Sequence, residues 1–205
     1  MSRAKRLLSA IAIVSAWALL TSGSAAASDC ANRDVQVNGL SQAQMESSIG
    51  CLINEERTSR GLRAVQPNAS LRQAALSHSK EMVDEGYFEH TSPAGLSFSD
   101  RILATGYTRN ARSWLLGENL VWGSGPLSTP QALVTTWMNS PPHRENLLRA
   151  RFREIGIAAV AGTPESRSDA SGVTVSSEYG YRSGAKKRHP KARKARRRHA
   201  QPAKN

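Results

Sequence analysis

Trp137-Met138-Asn139-Ser140-Pro141-Pro142-His143-Arg144-Glu145-Asn146-Leu147-Leu148 holds a helix stop, a helix start and a histidine within one short stretch. Pro141 and Pro142 fix φ and lack a backbone N–H, so a helix reaching Trp137 must end by about Ser140. A second helix can open at Pro142, where a missing donor costs nothing, and it would turn Leu147 and Leu148 inward. His143 then sits in the first turn after a stiff corner. Two readings of it are open: a packed side chain, or a titratable group mounted for ligand chemistry.

Working outward, Thr129 caps and Pro130 opens the helix that carries Leu133, Val134 and Trp137 to the corner. Beyond it, Ile155-Gly-Ile-Ala-Ala-Val160 predicts a strand of about six residues. A loop rich in Gly, Pro, Ser and charge follows, and the alternation from Val173 to Tyr179 predicts a strand able to pair back as a hairpin. Toward the N-terminus, Ser41 caps a helix with Met45, Ile49, Leu52 and Ile53 on one side, closed by Gly61 in the C′ position. Asn68 caps the next helix, whose inward stripe is Leu71, Ala75, His78 and Met82 and which Gly86 stops. Asn68-Ala69-Ser70 also fits a glycosylation sequon. A short helix through Asp100, Ile102 and Leu103 ends at Gly106, and Ser113 to Leu116 reads as a brief strand running into Gly117–Gly123. Helices come first and short strands are interleaved after them, which points to an α/β layered sandwich rather than a doubly wound sheet.

The first residues carry the layout of a secretory leader. Arg3, Lys5 and Arg6 precede an apolar run from Leu7 to Leu20, and Ala25-Ala26-Ala27 offers a cleavage site. That run falls short of the roughly 20 residues that span a bilayer. Removing residues 1–27 leaves 178 of 205, enough for one domain with its own core. The formal net charge of +12 is unevenly spread: three of the 28 Lys and Arg lie in the leader and eleven after Tyr181, leaving 14 to face all 16 Asp and Glu. The expected organisation is a leader over 1–27, a polar arm over 28–40, a nearly neutral domain over 41–181 and a disordered basic tail over 182–205. Cys30 and Cys51 are either two free thiols or, in an oxidising compartment, a pair tying the start of the mature chain to the first helix.

His90, Glu118 and His143 each stand in a turn-rich or apolar context that reads as a corner between elements, where function tends to be mounted. Two imidazoles and a carboxylate can serve zinc or a related divalent ion, although separations of 28 and 25 residues match no local metal motif. His78, on an inward helical stripe, reads as a satisfied core histidine.

Phe88-Glu-His-Thr-Ser-Pro93, Gly117-Glu-Asn-Leu120 and the Trp137–Leu148 stretch, followed by Glu154-Ile-Gly-Ile-Ala158, together resemble the bacterial branch of the CAP superfamily, which includes cysteine-rich secretory proteins, antigen 5 and pathogenesis-related proteins. The resemblance runs from about Ile49 to Tyr181. It implies an α-β-α sandwich with a cleft lined by two histidines and two glutamates, and it maps His90, His143 and Glu118 onto three of those four. Asn119, Trp137, Ser140, Arg144 and Asn146, from the same motifs, are the implied supports of the cleft. The second family glutamate has no match, since Asn139 and Ser140 stand in its place. Glu154 could replace it only if its strand faces the cleft. Ser177-Glu-Tyr-Gly180 resembles the closing strand of the family.

Two functions are compatible with these residues. One is a secreted monomeric binding module that takes a small or lipid-like ligand in the cleft, with a divalent cation, zinc foremost, tuning it. The other is a metal-assisted hydrolase, with Glu118 as base or ligand. No Gly-x-Ser-x-Gly elbow, nucleotide fingerprint or His-Glu-x-x-His helix occurs, and no catalytic nucleophile is assigned. The tail suits anionic envelope polymers or lipid headgroups, with nucleic acid a lesser alternative in a secreted chain, or it is a solvated extension.

Overall fold

A computed structural model describes residues 30–185; the expected leader and the basic stretch from residue 186 onward lie outside them. The first helix, α1 (Gln42–Thr58), starts at Ser41 through a reciprocal cap. Ser41 Oγ accepts the Gln44 N–H, and the Gln44 side chain accepts the Ser41 N–H at 2.9 Å. Its last turn closes onto Gly61, at φ 71°, with Leu62 N–H donating to Arg57 O and Gly61 N–H to Thr58 O. That bond pair is a Schellman closure and requires the left-handed backbone glycine tolerates. After β1 (Gln66–Pro67), Asn68 accepts the N–H groups of Ser70 and Leu71 and caps α2 (Ala69–Glu85). Next come α3 (Phe98–Ala104), β2 (Ala111–Ser124), α4 (Pro130–Asn139), α5 (Pro141–Leu148), β3 (Glu154–Ala161) and β4 (Gly172–Ala185).

The four strands lie in the order β1-β3-β4-β2, with β1 parallel to β3 and the other two pairs antiparallel. One face of the sheet packs α1, α4 and α5, burying Met45, Ile49, Ile53, Trp137, Leu147, Phe152, Val175 and Tyr179 among others. The opposite face packs α2 and α3 through Leu71, Ala74, Ile102 and Tyr107. Each fully buried side chain of this size contributes about 1.5–3 kcal/mol by leaving water. The result is the expected α-β-α sandwich.

The strands depart from the sequence reading in two respects. β2 is one strand of 14 residues rather than a brief strand followed by a corner, so Glu118 stands in mid-strand, directly opposite Glu178. β4 runs on to Ala185, past the expected boundary at Tyr181, and pairs its end with Ala111–Trp114. Both extensions hold because each supplies the other's ladder, which local propensity does not register. At the corner, the second helix begins at Pro141, one residue earlier than expected, because the first two positions of a helix both tolerate a missing N–H. The arm is also less free than its polarity suggests. Cys30 is 2% exposed and bonded to Cys51 of α1, and Arg33 reaches Gln131 at the start of α4.

Candidate functional site

Strand alternation turns Glu118 of β2 and Glu178 of β4 to the face that carries α2 and α3. Arg101, on α3 beside Ile102, comes down onto them: its guanidinium donates to Glu118 Oε2 at 2.6 Å. The same group donates to the carbonyls of His90 at 3.0 Å and Leu96 at 2.9 Å, fastening the loop between α2 and α3 over the sheet. His90, in that loop, places Nδ1 2.7 Å from Glu118 Oε1. Both oxygens of Glu118 are therefore engaged by cations or donors, and the carboxylate and the Arg101 side chain are 1% and 5% exposed.

Burial works to raise the Glu118 carboxyl. The hydrogen bond with His90, the neighbouring Glu178 side chain and the positive charge of Arg101 override it and hold the group below the ordinary carboxylate range. Glu178 is pushed the other way, well above that range, first by complete burial and then by the charge on Glu118. Neither oxygen of Glu178 has a hydrogen-bond partner among the described residues, and this burial beside Glu118 favours its neutral form. The two carboxyls thus lie side by side on one face of the sheet, with the Arg101 guanidinium on Glu118. His78 of α2 packs underneath, with Nε2 2.9 Å from Glu89 O and 4.0 Å from Glu118 Oε2. It is a satisfied buried histidine, as its place on the α2 stripe suggested. Burial lowers its pKa, against the pull of Glu118.

His143 is brought to this site from α5. Asn119 Nδ2 donates to His143 O at 2.9 Å, and Asn146 Nδ2 donates to Glu118 O at 3.1 Å and Asn119 Oδ1 at 3.2 Å. These two asparagines clamp the first turns of α5 to β2. Burial lowers the His143 pKa, and the nearby charge of His90 adds to the effect. His90 is instead raised, by its hydrogen bond to Glu118. His143 Nδ1 is buried without a partner, so the ring presents Nε2 outward. The half-exposed His90 ring, with Nδ1 engaged, does the same. The site offers two imidazole edges above a buried carboxyl–guanidinium floor.

The residues expected to hold a divalent ion come together only in part. His90 and Glu118 are bonded to each other, and the donor atoms of His90, Glu118 and His143 do not converge as a ligand set. Among the described residues, the set of three donors close enough for one ion is Cys30, Cys51 and Glu55, and its sulfurs form a disulfide. A metal at Glu118 would also have to displace His90 or Arg101. Glu154 does not supply the missing acid, because its oxygens are taken by Asn68, Tyr107 and Arg182.

Of the expected supports, Asn119 and Asn146 fill that role. Trp137 is fully buried and acts from the core side, donating Nε1–H to Leu120 O at 2.9 Å. Ser140 ends α4 and precedes α5 without a side-chain cap. Arg144 is exposed and lines a hollow of about 560 Å³ with Met138, Asn139 and Glu145. Sequence reasoning missed Arg101 and gave Glu178 no role at the site. The Asp100–Leu103 helix and the alternation around Ser177 were both visible, but a charged residue on either reads as solvent-facing until its partner is known.

Comparison with known proteins gives a consistent picture. Residues 52–179 match the profile of the cysteine-rich secretory protein family, CAP. The uncharacterized protein YkwD of Bacillus subtilis is 35% identical over 115 residues, covering 56% of this chain and 42% of YkwD. The crystal structure of an extracellular protein containing an SCP domain from Bacillus anthracis aligns with a TM-score of 0.54 and 25% identity, over 68% of this chain and 41% of that one. An outer surface protein of Borrelia burgdorferi shares the fold at a TM-score of 0.58 and 20% identity, over 70% of this chain and 97% of its own. The chain spans less than half the length of the two Bacillus proteins.

Proposed function

The chain belongs to the cysteine-rich secretory protein (CAP) family, and from that membership we propose that it is an extracellular binding module. Its ligand, small or lipid-like, offers polar atoms to the Nε2 edges of His90 and His143. The observation that carries this reading is the commitment of Glu118. With one oxygen on His90 and the other on Arg101, it is neither a free base nor an open ligand for an ion. A fixed hydrogen-bonding floor suits recognition more than turnover. The Cys30–Cys51 bond and the leader-like N-terminus support an extracellular location, as does the Bacillus anthracis relative described as extracellular. Among the described residues, no helix is long and apolar enough to cross a membrane. Through the cations beyond Tyr181, the protein would adhere to anionic polymers or headgroups of the envelope. Retention that is equal for the full chain and for one ending at Ala185 would remove that part.

Histidine NMR signals of the full chain, followed while organic and aqueous envelope extracts are added, test the cleft. The His90 and His143 signals should shift together with one extract, and the shift should vanish in His143→Ala. Zinc calorimetry on the same sample should give no heat. Heat abolished by His143→Ala would restore a metal site, and turnover of ester or peptide substrates lost in Glu118→Gln would replace binding with hydrolysis.

A further inference from the structure

β2 and β4 continue together beyond the rest of the sheet. Ala111–Leu116 pairs with β4 from Gly180 to Ala185, whereas β3 begins opposite Gly180 and accompanies β4 no further. This end is a two-stranded ribbon. Alternation puts Arg112, Trp114 and Leu116 on one face. Leu116 is partly buried against the Leu71–Ile102–Tyr107 cluster, while Trp114 is 47% exposed and Arg112 is exposed. Arg182, directly across from Trp114, is held in place: it stacks 4.4 Å above the Tyr107 ring, pairs with Glu154 and donates to Tyr107 O. Arg109 joins Arg182 in lining a hollow of about 220 Å³ with Asn110 and Ser183. Across from Arg112 stands Gly184, with open space where a side chain would be. Among the described residues, neither Arg109 nor Arg112 has a carboxylate partner. The sequence then leaves this end of β4 as Lys186-Lys187-Arg188.

We propose that this face of the ribbon is a docking surface for an anionic sugar polymer. The Trp114 indole stacks on a sugar ring, and Arg109 and Arg112 take the phosphate, sulfate or carboxylate groups beside it. The inference rests on the reading of the basic stretch as an adhesive arm and gives that arm a point of registration on the folded domain. A bilayer is a poorer match, because one indole between guanidiniums gives it a single apolar group to receive. A polymer that alternates rings and anions meets both kinds of side chain at once.

The test uses the full chain with three probes: heparin, sodium polyphosphate and phosphatidylglycerol vesicles. Trp114→Ala should weaken heparin binding about tenfold, as loss of an aromatic stack does, and leave polyphosphate binding and the melting temperature unchanged. Arg109→Ala should lower the salt slope for heparin by about one. Unchanged heparin binding in Trp114→Ala overturns the proposal, and so does a loss confined to vesicles, which would assign the surface to a bilayer. A chain ending at Ala185 separates the two readings. If it loses all anion binding while Trp114→Ala in the full chain loses none, the adhesive arm stands and the ribbon surface falls. If it binds like the full chain and still responds to Trp114→Ala, the ribbon stands and the arm falls.

Discussion

The contact between Arg101 and Glu118 is costly to disturb, because both partners are almost wholly out of water. Replacing Arg101 with Leu leaves a buried carboxylate beside Glu178 with one oxygen unpaired and only His90 on the other. The expected loss is about 3–5 kcal/mol of folding stability, the cost of breaking a buried ion pair from one side, measured by urea unfolding. A loss below about 1 kcal/mol would mean that the pair is solvated in solution. At this scale the sequence was half legible. His90, Glu118 and His143 stood out because histidines and a carboxylate in turn-rich or apolar settings are unusual, and the motifs around them gave a shared context. Arg101 and Glu178 were hidden because the meaning of each depends on the other's position, 77 residues away in the chain.

Elements dock here through the absence of side chains as much as through their presence. Gly156 of β3 lies under the start of α2 so closely that an added Cβ would meet the Arg72 nitrogen at 2.0 Å and the Leu71 carbonyl carbon at 2.1 Å. These are backbone atoms and cannot swing aside. Gly156→Ala should push α2 from the sheet and cost about 3 kcal/mol or more, seen as a lowered urea midpoint. Gly50→Ala is the control, since its Cβ would meet only Ile157 at an ordinary 3.5 Å. The helices were well marked in the sequence, because Ser41, Asn68 and Thr129 cap and Pro130 and the Pro141-Pro142 pair start them through local chemistry, although α5 opens one residue before the expected Pro142. The long strands were not. Gly117, Glu118, Asn119 and Gly123 are poor strand formers taken alone, and the β2 ladder draws its partners from about 60 residues downstream. Arg57 is a similar case. It looks like the charged end of a helix, yet it is fully buried and donates to the carbonyls of Leu147, Arg149 and Phe152, joining α1 to the end of α5.

For the whole molecule, the bond between Cys30 and Cys51, 21 residues apart, anchors the arm to α1. Closing a loop of that length restricts the unfolded chain by about 3 kcal/mol in the chain-entropy model. Urea unfolding with and without dithiothreitol should differ by roughly that amount. A reduced protein of equal stability would mean that the arm contributes nothing to the fold. The three-layer order was legible from the sequence of capped helices and short strands. Where the folded part ends was not, since Arg182 reads as the first cation of a tail and is instead tied to Glu154 and Tyr107.

The hydrogen bonds from Asn146 to Glu118 O and from Trp137 to Leu120 O have a consequence for the protein among its own copies. β2 is the outermost strand on its side of the sheet, and an outermost strand is a template on which another chain can crystallise into a longer sheet. Here the carbonyls at its centre are already spoken for by side chains from α5 and α4. Colliding molecules find no continuous row of acceptors along which to zip. The Asn146 clamp that holds α5 to β2, together with Trp137, therefore also guards the chain against edge-to-edge aggregation.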